Sequence, residues 1–427
     1  MTPRPRAIGY VYPSGYGNLG DEAIQQAAIA GFRGPWPDAR IRAFTLNASA
    51  TAARHGIEAE PIIGLSHGFN DVRVDDVPGV LRLTQRVAGL VRRPSLLARV
   101  VGGAERRARM AALEARSAWR AWRWLGGADL LAAAGGGQLD DLWGGAWGHP
   151  YALARWAWLA RRRKVPFVVL SVGFGTARSR LGRAFLRYAV DQAAYCSCRD
   201  EGSRALTAGL GVRAEPRVVP DLAFALRKVT GEPAAAPPLE VGISPMSYRR
   251  PHAWPDADRE GYDRLVAVWA DIVTRRVACG DRVRLFSTSP ADYVTIDEVL
   301  ARLKPEVRAR CVREAVGTVA ELLAACARVH VVVASRLHGV VLALVAERPV
   351  VALSHERKVR QLMDDACLAD YCLDLETAEA EAASAAIDAV ARRRAELQAA
   401  IARRVADWRD EVEAQARAVT AFARIPA

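Results

Sequence analysis

An arginine and a histidine two residues apart follow an apolar run in the second half of the chain. Residues 331–334, Val-Val-Val-Ala, predict a buried strand, which ends at Ser-Arg-Leu-His-Gly before an apolar helix expected from residue 340. Open α/β folds bind ligands at the carboxyl ends of their strands. Arg336 offers a planar fork for carboxylate or phosphate, helix amides add partial positive charge, and a histidine such as His338 can donate a proton near neutral pH. The turn therefore predicts a site for an anionic substrate.

Each residue also has a purely structural interpretation. An arginine at a strand end can pair with a carboxylate of the fold. A histidine near a core is often a satisfied polar residue. Because both stand on one strand-to-helix turn, the joint pattern favours the ligand site.

Three further strand ends carry polar residues. The first strand, near residues 7–12, leads into a glycine-rich turn and a helix expected from about residue 23, where a polar side chain can cap the helix. A strand over 128–134 ends in three glycines and two aspartates, which suit close backbone approach and acceptance of a hydroxyl proton. Another strand, 195–197, ends in an arginine. Neither glycine spacing is that of a dinucleotide site or a P-loop, so simple connections remain an alternative. The candidates are Asn18, Asp21, Gln138, Asp140 and Arg199.

Composition limits the classes of function. The chain has 427 residues and a net charge of +13, and segment 81–125 holds eleven arginines against two glutamates. Charge this localised, without a zinc-finger or RNA-recognition motif, argues against a nucleic-acid partner. The segment predicts either a solvated basic helix, interrupted at Pro94 and Gly102-Gly103, or an interfacial helix on anionic lipid, with tryptophans at headgroup depth.

Location and metal content follow from similar reasoning. No apolar run reaches the roughly 18 residues that span a bilayer, and the N-terminus leads directly into a strand without a signal peptide. We expect a cytoplasmic protein, with peripheral contact at the inner membrane face as an open option. The seven cysteines lack zinc spacing and are expected to be reduced thiols, so we expect no metal.

Alternating strands and helices predict an α/β protein with two parallel sheets in Rossmann-like domains. The first domain is expected over 1–226, with a basic Arg/Trp insert at about 70–125. A Pro-rich linker over 227–238 separates it from a second domain over 239–377. Residues 378–427 predict helices that pack across both domains.

Several blocks of the sequence resemble the polysaccharide pyruvyltransferase family. They are Gly-Asn-Leu-Gly-Asp-Glu-Ala at 17–23, Gly-Gly-Gly with Asp140, Ser-Cys-Arg-Asp-Glu-Gly-Ser at 197–203, Pro-Asp-Leu-Ala-Phe at 220–224, Ser-Arg-Leu-His-Gly at 335–339, and Lys358. They keep the family's order from about residue 8 to 365, and together they are more specific than any one of them. The basic insert is longer than expected for the family.

The resemblance implies the GT-B architecture, in which two Rossmann-like domains face a cleft. It also implies transfer of the pyruvyl group of phosphoenolpyruvate to sugar hydroxyls of an exopolysaccharide or cell-wall glycan precursor, usually giving a pyruvate ketal. Phosphoenolpyruvate is then a co-substrate and no other cofactor is required. Arg199, Arg336 and Lys358 would bind it, with His338 as general acid. Asn18, Asp21, Gln138 and Asp140 would face a glycan or lipid-linked oligosaccharide acceptor.

Two other functions remain open at this point. A GT-B nucleotide-sugar glycosyltransferase, or an epimerase of the same build, would use strand-end cations and glycine-rich turns for a diphosphate. A non-catalytic, membrane-associated scaffold of glycan assembly would use the Arg/Trp segment 81–125. The acceptor sugar, the choice between ketal and enolpyruvyl ether, and the oligomeric state do not follow from the sequence.

Overall fold

The protein is built on two parallel β-sheets. The computed structural model describes residues 6–64, 96–142, 144–231, 238–251, 254 and 257–424, and the side chains of 96–107 are outside this description. Within these residues the sheets have seven and six strands. Residues 70–95 of the predicted insert and 232–237 of the predicted linker lie outside the described residues.

The first sheet has the order β3-β2-β1-β4-β5-β6-β7, and all its strands are parallel. Its strands are β1 Ala7–Val11, β2 Arg40–Thr45, β3 Glu58–Pro61, β4 Leu130–Ala134, β5 Phe167–Val172, β6 Tyr195–Cys198 and β7 Arg217–Val218. The central strands β4 and β5 are buried along their whole length, as expected for a sheet covered on both faces.

Helices cover both faces of this sheet. They are α1 Leu19–Arg33, α2 Ala48–His55, α3 Leu96–Leu125, α4 His149–Arg162, α5 Arg180–Asp191 and α6 Glu201–Ala208. Helices α3, α4 and α5 share one apolar cluster with the sheet, centred on Phe44, Trp156 and Leu186. The predicted interruption at Gly102-Gly103 is wrong, because α3 is continuous from Leu96 to Leu125. A glycine in a helix costs only about 1 kcal/mol, which packing along a helix this long can offset.

The second sheet repeats the pattern, with parallel strands in the order β10-β9-β8-β11-β12-β13. Its strands are β8 Glu240–Ser244, β9 Arg282–Leu285, β10 Cys311–Arg313, β11 Val331–Ala334, β12 Val350–Leu353 and β13 Cys372–Leu373. Its helices are α7 Arg259–Ala278, α8 Tyr293–Arg302, α9 Pro305–Arg308, α10 Val319–Ala327, α11 Leu337–Val345 and α12 Arg357–Asp365. The order of strands reverses beside β1 in the first sheet and beside β8 in the second, so the turns after β1, β4, β8 and β11 lie at the switch points where α/β folds bind ligands.

The chain ends in two helices that pack across both halves, as predicted. Helix α13, Ala380–Arg392, lies on α7 and β12 of the second half. Helix α14, Arg394–Val419, returns to the first half, where Trp408 packs on Phe224 at 4.5 Å between ring centroids. Among the described residues, no helix combines the length and apolar character needed to cross a bilayer.

Candidate active site

The turn after β11 places two predicted site residues at the start of α11. Arg336 is the N-cap, with extended backbone at φ −83° and ψ 143°, and His338 lies in the first helical turn. The prediction that the helix begins at residue 340 is wrong, because it begins at Leu337. That side chain is only 7% exposed, so the apolar face of the helix starts earlier than the valine run suggests. Both candidate residues therefore lie at the N-terminal end of the helix dipole.

Arg336 is held by a buried carboxylate. Its Nη2 and Nε donate to the two oxygens of Asp292 at 2.8 and 2.5 Å. The backbone amide of Ser247 and the hydroxyl of Ser287 also donate to Asp292, at 2.9 and 3.0 Å. Burial works to lower the pKa of Arg336, but Asp292, followed by Glu356 and Asp21, outweighs it, so the pKa is raised. The guanidinium is thus a permanently charged group in a fixed orientation.

The imidazole of His338 packs on the first half of the molecule. A Cβ atom on Gly20 would lie 2.3 Å from both Cγ and Nδ1 of the ring, so only glycine permits this approach. At the same junction the amide of Leu19 donates to the carbonyl of Thr288 at 2.7 Å. The N-terminal turn and the α11 turn therefore form one site, although they come from different sheets.

The helix expected from about residue 23 begins earlier, at Leu19, so Asp21 lies in its first turn. Asn18 is the N-cap and accepts from the amide of Gly20 at 3.0 Å. The hydroxyl of Tyr12 donates to Asp21 at 2.9 Å. Burial raises the pKa of Asp21 above its usual range, and His338, Tyr12 and Arg336 oppose this rise. Asp21 thus lies close to Arg336 and His338.

Asp221 links His338 to Arg199. Its Oδ2 lies 3.6 Å from Nε2 of His338 and 3.5 Å from Nη1 of Arg199, while Oδ1 accepts from the amide of Ala223 at 3.0 Å. Burial works to raise the pKa of Asp221, but His338, Arg199 and the amide of Ala223 outweigh it, so the pKa is lowered. One carboxylate therefore brings together an arginine of the first half and a histidine of the second half.

Arg199 follows β6, and the turn after β5 fixes its position. Its amide donates to the carbonyl of Val172 at 3.0 Å. Its guanidinium lies against the backbone of Gly173, where a Cβ atom would be 2.6 Å from Cζ. The side chain is only 7% exposed, and Nε lies 3.4 Å from Asp200. Here glycine is required by close approach rather than by a turn.

Lys358 lies in the first turn of α12 and pairs with a neighbour. Its Nζ lies 2.7 Å from Oε1 of Glu356. Burial works to raise the pKa of Glu356, but Lys358, followed by His355 and Arg199, outweighs it, so the pKa is lowered. Glu356 also raises the pKa of Arg336. This carboxylate therefore lies within electrostatic reach of all three predicted anion-binding cations.

The acceptor-side candidates after β4 divide into one near the cations and one in the core. Burial raises the pKa of Asp140, opposed first by the amides of Leu142 and Thr176 and then by Lys358. Gln138 is fully buried. Its side-chain nitrogen donates to the carbonyl of Val11 at 3.3 Å, and its side-chain oxygen lies 3.3 Å from Nε2 of His149. Asp140 thus lies near the cations, whereas Gln138 leaves no exposed surface for a ligand.

A cleft of about 200 Å³ lies between the two halves and α14. Its lining includes Arg199, Asp221, Leu337, Lys358 and Trp408. Within the described residues, the buried hydroxyl oxygens Ser335 Oγ and Thr288 Oγ1 make no hydrogen bond. Arg199 Nε and His338 Nε2 also make none and have only the longer contacts with Asp200 and Asp221. Because buried polar atoms are almost always hydrogen-bonded, these four atoms in the strand-end turns indicate where a polar ligand would bind.

Sequence reasoning missed three carboxylates of the site. Asp221 lies inside a block used for the resemblance, and Glu356 lies two residues before Lys358, so both had a local signal. Asp292 lies before α8, far from Arg336 in sequence, and only the fold brings the two together. Among the described residues, no cluster of three or more His, Cys, Asp or Glu side chains is arranged to hold a metal ion.

Two Rossmann-like domains with a site at their shared strand ends define the GT-B class, and solved structures agree with this architecture. Anabaena HepE in complex with UDP and glucose is 12% identical, with a TM-score of 0.54 over 97% of this chain and 99% of that one. A putative UDP-N-acetylglucosamine 2-epimerase from Listeria monocytogenes is 9% identical, with a TM-score of 0.58 over 98% and 96%. The Neisseria meningitidis UDP-GlcNAc 2-epimerase bound to UDP-GlcNAc is 8% identical, with a TM-score of 0.52 over 97% and 99%. At these identities the likeness concerns the fold alone.

The sequence defines the family more closely. The model of the polysaccharide pyruvyl transferase family matches residues 18–357, which include the turns that carry Asp21, Arg199, Arg336 and His338. No curated protein matches the chain significantly. The protein belongs to the polysaccharide pyruvyl transferase family and is a transferase enzyme.

Proposed function

We propose that the protein transfers the pyruvyl group of phosphoenolpyruvate to sugar hydroxyls of an exopolysaccharide or cell-wall glycan precursor and forms a pyruvate ketal. One observation carries the proposal. Arg199 of the first half and His338 of the second half converge on the same oxygen of Asp221, at 3.5 and 3.6 Å. A cation and a proton donor from separate domains therefore lie close enough to act on one small dianion.

The donor carries a carboxylate and a phosphate on three carbons, so it requires several converging cations. Arg199 and Arg336 bind it from the two halves, and Lys358 lies near the phosphate. Each of these cations lies against a carboxylate, Asp221, Asp292 or Glu356. Paired guanidinium groups stay oriented, and this preorganisation lowers the cost of binding the substrate.

The chemistry begins at the double bond of the donor. His338 gives its Nε2 proton to the methylene carbon, and the π electrons form the new C–H bond, which leaves C2 as an oxocarbenium-like electrophile. An acceptor hydroxyl attacks C2, the bond from C2 to the phosphate oxygen breaks, and phosphate leaves. A second hydroxyl of the same acceptor then closes the ketal. Asp221 remains charged beside the imidazole and stabilises its protonated form.

The protons released by the attacking sugar hydroxyls need a base. Asp21 lies beside His338 and Arg336, and its raised pKa makes it a better base than an exposed carboxylate. Asp140, whose pKa is also raised, lies within electrostatic reach of Lys358 and serves the acceptor side. Asn18 caps α1 at the same edge. Gln138 supports the turn from the core rather than contacting the glycan.

The proposal is tested by binding and by isotope incorporation. Calorimetry should show that phosphoenolpyruvate binds wild type while UDP-glucose does not, and that Arg199→Gln and Arg336→Gln weaken binding by about 10- to 100-fold, as expected for a charged hydrogen bond. Transfer to a panel of sugar acceptors in D₂O should give a ketal methyl group carrying one deuterium. His338→Gln should bind the donor but lose about 10²–10⁴-fold in turnover.

A matched control replaces a cation away from the site. Lys304→Ala removes an exposed lysine of the second half and should leave binding and turnover unchanged. Two results would contradict the proposal: tight binding of UDP-glucose without binding of phosphoenolpyruvate, or full transfer by the His338→Gln protein. A product with an intact methylene group would instead indicate an enolpyruvyl ether.

A further inference from the structure

Three adjacent helices on the first sheet present an outer surface that the proposed chemistry does not use. Helix α4 contacts both α3 and α5, and all three cover the same apolar cluster. We call their outer surface the basic aromatic face. It comprises Arg116, Trp119 and Arg123 on α3, Trp158 and Arg162 on α4, and Arg180, Leu181, Arg183 and Arg187 on α5.

Large apolar side chains are unusually exposed on this face. Trp119 and Trp158 are 56% and 45% exposed, and Trp147, beside α4 and α5 at the edge of the face, is 59% exposed. These three are the exposed tryptophans within the described part of the chain. Leu181 is 43% exposed. Soluble surfaces rarely leave several indoles uncovered on one side, so the face has the composition of a binding surface.

The charge of the face is predominantly positive. Helix α4 contains no acidic residue, and α5 contains only Asp191, at its last position. In the part of α3 whose side chains are described, the one acidic residue is Glu114, which turns inward and accepts from Arg155 and Tyr151, each at 2.9 Å. On α5, Arg187 lies 3.6 Å from Asp191. The arginines of the face on α3 and α4 meet no carboxylate from within those two helices.

Two of the arginines lie over the exposed indoles. Arg123 is 4.9 Å from the ring centroid of Trp119, and Arg162 is 5.5 Å from that of Trp158. Indole at the interface combined with guanidinium among headgroups is the arrangement that binds peripheral proteins to anionic lipid. We infer that the basic aromatic face docks on an anionic phospholipid bilayer.

The basic aromatic face adjoins the turn after β4, which the proposed function assigns to the acceptor. Trp147 lies next to α5, whose N-cap Ser179 donates to Asp141 of the turn after β4. The turn after β4 therefore borders the edge of the face. If the proposed function holds, docking brings this turn close to a lipid-linked acceptor; docking itself does not depend on the chemistry.

The test is co-sedimentation of the full chain with vesicles of phosphatidylcholine alone or of phosphatidylcholine with phosphatidylglycerol. We expect binding only to the anionic vesicles, and less of it at high salt. A triple variant, Arg116→Ala with Arg123→Ala and Arg162→Ala, should bind about 100-fold more weakly, because each surface arginine contributes roughly fivefold. The double variant Trp119→Ala with Trp158→Ala should also bind more weakly while its charge is unchanged.

The matched control removes three exposed cations from the second half, with Arg302→Ala, Lys304→Ala and Arg308→Ala, and should bind like wild type. Turnover with a soluble acceptor should be unchanged in all three variants, which separates loss of docking from loss of the active site. The inference is overturned if wild type stays in the supernatant with anionic vesicles, or if the control loses as much binding as the face variants. Displacement of the vesicles by a DNA duplex would also overturn it, in favour of nucleic acid.

Discussion

At the scale of single residues, Gly173 controls the position of Arg199. A methyl group there would overlap the guanidinium, with Cζ at 2.6 Å. The end of a flexible side chain can move at low cost, so we expect Gly173→Ala to remain folded with Arg199 displaced. The KM for phosphoenolpyruvate should rise about 10- to 100-fold, as for loss of a charged hydrogen bond, while Tm changes little. Steady-state kinetics and thermal unfolding measure the two effects.

Gly31→Ala is a control for that substitution. Gly31 lies inside α1, and a Cβ atom there would meet only the Cβ of Ala416 at 3.5 Å, an ordinary contact. The control should keep the wild-type KM. An unchanged KM for Gly173→Ala would mean that Arg199 does not contact the donor.

The buried position of Asp21 in the site lowers the stability of the fold at neutral pH. Because burial raises its pKa, the folded state holds the proton more tightly than the unfolded state does. Stability from this group is therefore greatest below the unfolded value of 3.8 and is lost as the pH rises through the folded pKa. Asp21→Asn removes that cost and should raise Tm at neutral pH, with the difference from wild type shrinking toward about pH 4. A lower Tm than wild type at neutral pH would contradict this assignment.

The sequence predicts residues of the site unevenly, for a physical reason. Arg336 and His338 follow a buried strand directly, so their type and spacing predict their location. The contact between His338 and Gly20 and the pairing of Arg336 with Asp292 depend on how distant segments pack, which no local pattern contains. Gln138 is a different case. Its place after a strand suggested a ligand contact, but its side chain points into the core.

At the scale of elements, α14 stabilises the strands that precede Arg199. Gln415 is buried, donates to Ser171 Oγ at 2.9 Å, and accepts from Ser197 Oγ at 2.5 Å and Tyr195 OH at 3.2 Å. Ser171 has a positive φ of 48°, at an irregularity in the pairing of β5 with β6. The side-chain amide of Gln415 thus supplies hydrogen bonds to a strained segment that leads directly into Gly173.

We therefore expect Gln415→Ala to destabilise the fold by about 1–3 kcal/mol, because it leaves buried hydroxyl groups without partners. Urea unfolding measures the change. Glu413→Ala, on the same helix, removes only surface ion pairs with Arg227 and Arg417 and should cost less than about 0.5 kcal/mol. Equal losses from the two substitutions would show that the buried network contributes nothing specific.

Element types were easier to predict than element boundaries. Runs of β-branched residues predicted β11 and β12 because buried parallel strands need them. The predicted starts of α1 and α11 were wrong because polar or small residues occupy the first turns of these helices. There, capping and the contact between domains determine where the helix begins. The continuity of α3 through two glycines was also missed, since packing overrides propensity in a long helix.

At the scale of the whole molecule, the proposed donor site draws its arginines from both halves. A ligand that binds the folded state alone raises the free energy of unfolding by about 2.7 kcal/mol at 100 times its Kd. Phosphoenolpyruvate at that concentration should therefore raise the Tm of wild type. The same concentration should raise the free energy of unfolding of Arg336→Gln by only about 0.4–1.4 kcal/mol, because binding that is 10- to 100-fold weaker leaves the donor at about 1 to 10 times its Kd. UDP-glucose should shift neither protein.

The two-domain architecture followed from the alternation of strands and helices, whereas the way the halves meet did not. The hydrogen bond from Leu19 to Thr288 joins the two halves, and a Cβ atom on Gly17 would lie 3.3 Å from Cγ of Pro290. Such contacts depend on three-dimensional complementarity rather than on periodicity. If phosphoenolpyruvate left the Tm of wild type unchanged, the folded protein would not bind it at that concentration, which would contradict the proposed donor site.

The close packing of Gly20 on the imidazole of His338 covers one side of that ring. Under the proposed chemistry, the proton can then reach the donor carbon from a single direction. The two faces of the double bond become unequal, and a donor labelled stereospecifically with deuterium and tritium should yield a methyl group of one handedness.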